Sequence, residues 1–347
     1  SVNDLPSRAA DNLFWLGRYA ERAEGFVRHL RSVLVRMNNE LDPASFADIT
    51  VLKHALVDTT ALAAERTPGG AVVPAESFEV VRHDLLEFLF DERRAIGVAS
   101  TLQALRRTAD FLRNRLSIDS WRIVHQLDLR SLFPWPTASA RLDAVLLLLN
   151  HLLTHLSAFS GLSVESMTRG TGWRFLDMGR RIERALHTLE LIQRSLVPVH
   201  QEIVTPLLEA VLEIADSTMT YRYRYLSSLQ LAPVLDLIMV DETNPRAVGF
   251  QLSALAEHVR NLPVDDRGPD RTARTIMAAQ ASLRLCDVDA YAQVDDAGRL
   301  APLSKFIEEL IHQLLQVSDA VSQRYLTHTS PSHQLGVFAV EAAEGDV

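Results

Sequence analysis

The sequence predicts an all-α fold, a helical bundle built from two tandemly duplicated helical halves. Apolar residues recur every three or four positions through residues 9–37, which is the spacing of one buried helix face. The motif Gly17-Arg18-x-x-Glu21-Arg22-Ala23 returns as Gly179-Arg180-x-x-Glu183-Arg184-Ala185, again on an apolar helical repeat. No stretch alternates apolar and polar residues for long enough to predict a strand.

The composition narrows the class of protein. A chain of 347 residues with 47% apolar and 23% charged residues is typical of a globular protein with a sizeable core. Its net charge of −9 argues against a nucleic-acid partner, which a basic surface would recognise. The single cysteine, Cys286, excludes a disulfide framework and favours a reduced, cytoplasmic setting. The richest apolar run, residues 144–149, is too short to span a membrane, so no membrane association is predicted.

The chain is predicted to form helices joined by short breaks. Ser7 is expected to cap the first helix, and Phe133-Pro134-Trp135-Pro136 is a firm break in the middle. The predicted helices cover residues 7–39, 46–66, 78–90, 96–116, 121–129, 137–159, 173–196, 201–229, 245–261, 272–286 and 303–326. The tail contains Val337-Phe338-Ala339-Val340, which we interpret as a short strand or a docking peptide.

The repeat divides the chain into four parts. Three further matches keep the same order in both halves, and one of them pairs Arg94-Ala95-Ile96-Gly97 with Arg246-Ala247-Val248-Gly249. Ordered matches indicate tandem duplication rather than chance. We therefore predict a first half at residues 1–136, a bridging helix and loop at 137–169, a second half at 170–329 and a tail at 330–347. The initial Ser1 is either a processed start or the edge of a longer, fused chain.

The repeated Arg–Glu–Arg cluster allows two interpretations. Arg18, Glu21 and Arg22 lie opposite the apolar face, at about 100° per residue, as a solvated helix face would. Bulky Phe14 and Trp15 also lie off that face, which indicates that the helix is surrounded and its charges partly dry. A buried Arg–Glu pair must be well matched or it is costly. The cluster is therefore either a structural ion-pair network or a ligand site.

The second half carries polar residues that the first half lacks. Tyr221-Arg222-Tyr223-Arg224-Tyr225 and Thr243-Asn244-Pro245-Arg246 have no full counterpart, so a principal site is expected in the second half, closed by the first. We predict that one interior cleft between the halves holds Arg18, Glu21, Arg22, Arg180, Glu183, Arg184, Arg222, Arg224, Asp241, Asn244 and Arg246. Its seven arginines outnumber its three acidic residues, so the cleft should bind an anion.

Other motifs point to no particular chemistry. His151 and His155 lie one helical turn apart without a third ligand nearby, so we interpret them as surface histidines rather than a metal site. Glu309-x-x-His312 occurs once, whereas a di-iron bundle needs that spacing twice. The sequence contains no phosphate-binding glycine loop and no nucleophile elbow. We accordingly predict no cofactor and no metal, and assign no catalytic residue.

Several of these motifs resemble a known family. The run SRAADNLFWLGRYAERAE at residues 7–24 resembles the signature of the alpha-E family, the predicted alpha-helical domain with an ER motif. The second copy of this signature resembles two runs, ESMTRG at 165–170 and WRFLDMGRRIER at 173–184. Further blocks of the family are similar to YRYRY at 221–225 and DETNPR at 241–246. The resemblance covers about residues 5–326, and the first half departs from it at 92–95, where an Asn-Pro pair would stand.

The resemblance implies a functional context. Members of the family are typically tandem duplications without an established reaction of their own. They accompany circularly permuted ATP-grasp ligases, transglutaminase-like proteins and an Ntn-hydrolase-type peptidase, and some are fused behind the ATP-grasp domain. This context implies a system that makes or modifies peptides.

Three hypotheses about function follow from these observations. The leading one is a noncatalytic helical component of a peptide-ligase system, which binds a partner, an anionic peptide or an acyl-phosphate through its arginines. The second is an enzyme acting on a carboxylate- or phosphate-bearing substrate, with Glu21 or Glu183 as acid–base. The third is a purely structural helical protein.

Overall fold

The structure is a computed structural model, and it describes most of the chain. The described residues are 5–39, 46–57, 76–134, 136, 140–197, 205–226, 228–262, 271–296 and 298–323. Within them every regular element is a helix, so the predicted all-α class is confirmed. The tail motif at 337–340 lies outside the described residues.

The helices follow the predicted order along the chain. The first eight are α1 Ser7–Asn39, α2 Phe46–Val57, α3 Phe78–Phe90, α4 Val98–Phe111, α5 Ile118–His125, α6 Leu129–Leu132, α7 Leu142–Ser166 and α8 Thr171–Ser195. The remaining ones are α9 Thr205–Ile214, α10 Thr218–Tyr225, α11 Leu231–Leu235, α12 Val248–Arg260, α13 Arg271–Arg284, α14 Val288–Tyr291 and α15 Ala301–Val321. A π-helical turn, Asp236–Val240, continues α11.

Helices α1 and α8 form the centre of the bundle. They pack along each other, and α1 is further covered by α2, α4, α7 and α9, while α8 is covered by α2, α12 and α15. The predicted apolar repeat of α8 is buried throughout, and that of α1 is buried from Leu13 to Met37. The off-face residue Phe14 is also fully buried, because neighbours cover α1 on several sides. Both repeated motifs therefore lie in the interior.

Several helix boundaries differ from the prediction for local reasons. The predicted helix over residues 201–229 is interrupted after Ile214, because Asp216 takes a left-handed conformation (φ 52°) and α10 begins only at Thr218. The segment at 231–240 lies between two predicted helices and is itself helical. Its Pro233 lies in the first turn of α11, where a missing N–H costs nothing.

Helix α7 was expected over residues 137–159 but runs from Leu142 to Ser166. By length and apolar composition it is the one described helix that could cross a membrane. Its buried residues pack on α1 and α5, and its exposed positions are mostly polar, including Asn150, Thr154 and Glu165. A helix with one buried apolar face and one polar face is typical of a globular core.

The duplication of the two halves and their boundaries stay predictions. The described part of the chain nevertheless repeats one local packing detail. A Cβ added at Gly97 would lie 2.8 Å from the backbone oxygen of Phe88, and one at Gly249 would lie 2.4 Å from that of Val240. The two sites occupy corresponding positions in the aligned segments.

Candidate functional site

The site is built on the crossing of α1 and α8, where two glycines allow backbone contact. A Cβ added at Gly17 would lie 2.0 Å from the backbone oxygen of Leu176, and one at Gly179 would lie 2.1 Å from that of Phe14. No side chain fits in either place, so both positions require glycine. The two glycines therefore let the backbones of α1 and α8 touch beside the glutamates.

Each glutamate of the repeated motif is held by arginines of the other helix. Arg18 and Arg22 of α1 donate from Nε to the two oxygens of Glu183 at 2.5 Å each. In return, Arg184 of α8 donates to both oxygens of Glu21 at 2.5 and 2.9 Å, and Arg180 approaches Glu21 at 3.6 Å. The repeated motifs therefore recognise each other reciprocally.

The cluster is buried, and its glutamates are strongly ionised. Arg18 and Glu21 are 4% and 5% exposed, and Arg18 also donates to the hydroxyl of Ser318 on α15 at 2.9 Å. Burial alone would raise the pKa of Glu21, but the charges of Arg184 and Arg180 outweigh it and lower the pKa to about 2. Burial likewise opposes ionisation of Glu183, and Arg22 and Arg18 lower its pKa to about 2. Both carboxylates stay charged and occupied at neutral pH.

A buried Asp–His pair extends the cluster on the α12 side. Asp177 accepts from Arg181 at 3.0 Å and lies 2.7 Å from Nε2 of His258. Burial would raise the pKa of Asp177, but its contacts with His258, Arg181 and Arg180 hold it well below the usual range. Asp177 therefore anchors the first turns of α8 to α12.

A second extension runs through Glu24, one turn beyond Glu21. Glu24 is 4% exposed and accepts from Arg28 at 2.9 Å and from Arg246 at 3.0 Å. Arg246 also donates to Asp216 at 2.8 Å, and Arg184 donates to the backbone oxygen of Pro245 at 3.2 Å. The loop before α12 is thereby tied to the helix crossing.

The whole network carries more positive than negative charge. Its seven arginines are Arg18, Arg22, Arg28, Arg180, Arg181, Arg184 and Arg246, and its five carboxylates are Glu21, Glu24, Asp177, Glu183 and Asp216. Within the described residues two positive charges are therefore in excess. The excess stands out in a chain whose net charge is −9.

An open groove lies beside this network. It has a volume of about 350 Å³, and its lining comes from α1, α7, α8 and the loop before α12. The lining residues are Glu24, Ser157, Ser160, Gly161, Val164, Glu165, Arg184 and Arg246. Arg180 reaches the same wall, because its guanidinium donates to the hydroxyl of Ser160. The lining of the groove therefore carries two arginines of the network, Arg184 and Arg246, and two glutamates, Glu24 and Glu165.

The structure brings together some of the predicted site residues and separates others. Arg246 joins the cluster, and Asn244 is buried but supports the loop by donating to Leu237 and Ser217. Arg224 and Asp241 pair with each other, with Arg224 exposed at the surface. Arg222 is also exposed and has no described contact with the cluster. The expected single interior cleft therefore does not include Arg222, Arg224 or Asp241, since Asp241 contacts Arg224 and Thr243 and no described residue of the cluster.

Sequence reasoning missed several participants. Glu24 ends the motif-bearing run at residues 7–24, and Asp216 lies in one of the repeated segments, so a signal existed for both. Asp177 precedes Arg180 and Arg181 by three and four residues, the spacing of helical ion pairs. Ser157, Ser160 and Gly161 carried no signal, because nothing in the sequence of α7 indicates which helix lies opposite.

Two groups of side chains have residue types that can bind a metal: the pair His151 and His155, and a group on α3. His155 contacts the side-chain oxygen of Gln126 at 3.0 Å, which occupies one of its ring nitrogens. Among the described residues, His83, Asp84 and Glu87 of α3 have the mutual spacing of metal ligands. Asp84 already pairs with Lys53 at 3.0 Å, and exposed groups of this kind are common without an ion. We assign no metal to them.

Comparison with known proteins gives relatives of this chain. A family model described as Alpha-E, a predicted alpha-helical domain with a conserved ER motif, matches residues 5–326. The uncharacterized proteins Rv2567 of Mycobacterium tuberculosis (strain H37Rv) and Mb2597 of Mycobacterium bovis are each 28% identical over 326 residues, which is 92% of this chain. The chain spans 37% of the length of these relatives. No solved structure matches it significantly.

Proposed function

Because the chain belongs to the Alpha-E family, we propose that it is a noncatalytic helical binding component of a system that makes or modifies peptides. In this proposal it works with a circularly permuted ATP-grasp ligase and a transglutaminase-like protein, the partners that the family resemblance implies. Its own contribution is to bind an anionic group of the peptide, or of an acyl-phosphate intermediate, beside the Arg/Glu cluster.

One observation carries this proposal: the carboxylates of Glu21 and Glu183 already accept hydrogen bonds from arginines. A general acid or base needs a pKa near the operating pH and a free oxygen for the transferred proton. Glu21 and Glu183 each accept two or more arginine hydrogen bonds, and the pKa of each is lowered to about 2. This environment disfavours the alternative in which either glutamate is an acid–base catalyst.

The excess of arginine favours binding over a purely structural role. The described network has two more arginines than carboxylates, and two of its arginines, Arg184 and Arg246, line an open groove. Guanidinium groups bind carboxylate and phosphate oxygens through directed N–H donors. An anionic ligand in the groove would neutralise the excess.

Two measurements test the proposal. Calorimetric titration of the protein with an acidic peptide and with inorganic phosphate should detect binding at millimolar concentration, and absence of any binding would refute anion recognition. Purification of the tagged protein from its native source should recover an ATP-grasp ligase. If the ligase is absent and its activity is unchanged when this protein is omitted, the proposed partnership is wrong.

A further inference from the structure

We propose that the groove beside the helix crossing binds a short, extended peptide with both termini free, its carboxylate at Arg184 and Arg246 and its amine towards Glu165. The inference rests on the proposed function and names its ligand site. It places recognition on the wall formed by α7 and α8 rather than inside the cluster, whose glutamates are occupied.

One end of the groove is formed by Arg184, Arg246 and Glu24, so positive charge exceeds negative charge there, and its arginines retain hydrogen-bond donors. A guanidinium has five N–H donors. The described contacts of Arg184 use three of them, two to Glu21 and one to Pro245. Those of Arg246 use two, one to Glu24 and one to Asp216. Both arginines line the groove, so their remaining N–H groups are available to a ligand carboxylate.

The opposite end of the groove is acidic. Helix α7 runs antiparallel to α1, since Asn150 accepts from Arg31 while Ser157 lies in the groove with Glu24. Glu165 therefore lies at the far end of the groove wall from Ser157. Glu165 is exposed and has no ion pair with a described residue, so its charge is open to a ligand amine.

The dimensions select a ligand of a few residues. Ser157 and Glu165 are eight residues apart on one helix, which is about 12 Å at 1.5 Å per residue. An extended peptide covers about 3.4 Å per residue, so three residues separate its charged termini by a similar length. The volume of about 350 Å³ is at the small end of ligand pockets.

Packing against the described part of the chain does not require the glycine of the groove wall, Gly161. A Cβ added at Gly161 would meet nothing within 4 Å, unlike those at Gly17 and Gly179. Glycine within a helix is unfavourable relative to alanine, so an unconstrained position would gain from a side chain. Because Gly161 has no side chain, the surface between Ser157 and Glu165 stays open, and a peptide backbone can lie against α7 there.

A smaller cavity behind the arginines limits how deep the ligand reaches. It has a volume of about 20 Å³, shares Glu24, Arg184 and Arg246 with the groove, and is lined by His187. The Nε2 atom of His187 is buried and has no hydrogen-bond partner among the described residues. This volume holds about one water molecule, which His187 can bind, and it excludes a carboxylate. The ligand therefore stays in the groove.

The experiment is isothermal titration calorimetry with triglycine, triglycine amide and N-acetyl-triglycine. Wild-type protein should bind triglycine, and blocking either terminus should weaken binding at least tenfold. Gly161→Leu and Ser157→Leu should also weaken binding at least tenfold, because each adds a side chain to the groove wall. Thr154→Leu, an exposed position on the same helix outside the groove, is the matched control and should bind like wild type.

The outcomes separate this inference from the proposed function. If triglycine amide and N-acetyl-triglycine bind as well as triglycine, or if both groove variants bind like wild type, the assigned site is wrong. Binding of an acidic peptide or of phosphate to wild type would then still support anion recognition elsewhere on the protein. If none of these ligands binds wild-type protein, both proposals fail. Melting curves of each variant establish that lost binding is not lost folding.

Discussion

Replacing Gly17 with alanine tests the helix crossing most locally. The added Cβ would lie 2.0 Å from the backbone oxygen of Leu176, and real Cβ contacts essentially never come closer than 3.0 Å. Helices α1 and α8 must therefore separate by about 1 Å at this point. The obstacle is backbone rather than a flexible side chain, so no local rotation relieves it.

The expected loss of stability combines three effects. Overpacking a close contact typically costs about 1–3 kcal/mol. A separation of this size also lengthens the arginine–glutamate hydrogen bonds, now 2.5–2.9 Å, towards or beyond 3.5 Å. Helix propensity offsets the loss by about 1 kcal/mol, because alanine favours a helix over glycine. Weakening these charged hydrogen bonds adds about 2 kcal/mol to the loss. The free energy of unfolding should therefore fall by roughly 3 kcal/mol in total.

The assay is urea unfolding followed by circular dichroism, with Gly161→Ala as the matched control. The same substitution at Gly161 meets nothing within 4 Å, so it should raise stability by up to about 1 kcal/mol. Opposite signs for the two variants are the signature of backbone contact at Gly17. If Gly17→Ala is as stable as Gly161→Ala, the close crossing of the helices is refuted.

Three further outcomes are expected. Glu183→Gln should lower the free energy of unfolding by about 3–5 kcal/mol in urea, because buried arginines lose their counter-charge, and a loss below 1 kcal/mol would count against a buried pair. Burial lowers the pKa of His29 from 6.5 to about 3, so the unfolded chain binds this proton at a higher pH than the folded chain does. The free energy of unfolding should therefore fall as the pH falls from 6.5 to 3. His29→Gln should flatten that part of the curve of stability against pH. The ionised Glu21 contributes stability that is fully present above pH 4.5 and should be lost as the pH falls towards 2. Glu21→Gln should remove this pH dependence. In both cases an unchanged pH profile in the variant would contradict the assignment.

The helical architecture was predictable because its signals are local. An apolar repeat of three and four residues marks the buried face of α1 and α8 wherever the neighbours lie. Bulky residues such as Phe14 outside that face correctly indicated that α1 is surrounded. The break after Ile214 was not predictable, since Asp216 adopts its left-handed conformation within an otherwise continuous helical pattern.

The candidate site was only partly predictable because it depends on which helices meet. The repeated motif identified Arg18, Glu21, Glu183 and Arg184, but periodicity does not reveal that the pairs cross from one helix to the other. Arg222 is also an arginine on a helix, between Tyr221 and Tyr223, yet it is exposed. The wall of the groove was missed entirely, because its position follows from the packing of α7 on α1.

The central claim is that the repeated motifs stabilise the crossing of α1 and α8 through reciprocal ion pairs. A double-mutant cycle of Glu21→Gln and Arg184→Gln, measured by urea unfolding, tests it most directly. The two substitutions should show a coupling energy of about 1–3 kcal/mol, because the groups touch at 2.5 Å in a buried place. The same cycle between Glu21→Gln and Arg222→Gln, which share no described contact, should be additive. Additivity of the Glu21 and Arg184 substitutions within about 0.5 kcal/mol would contradict the claim.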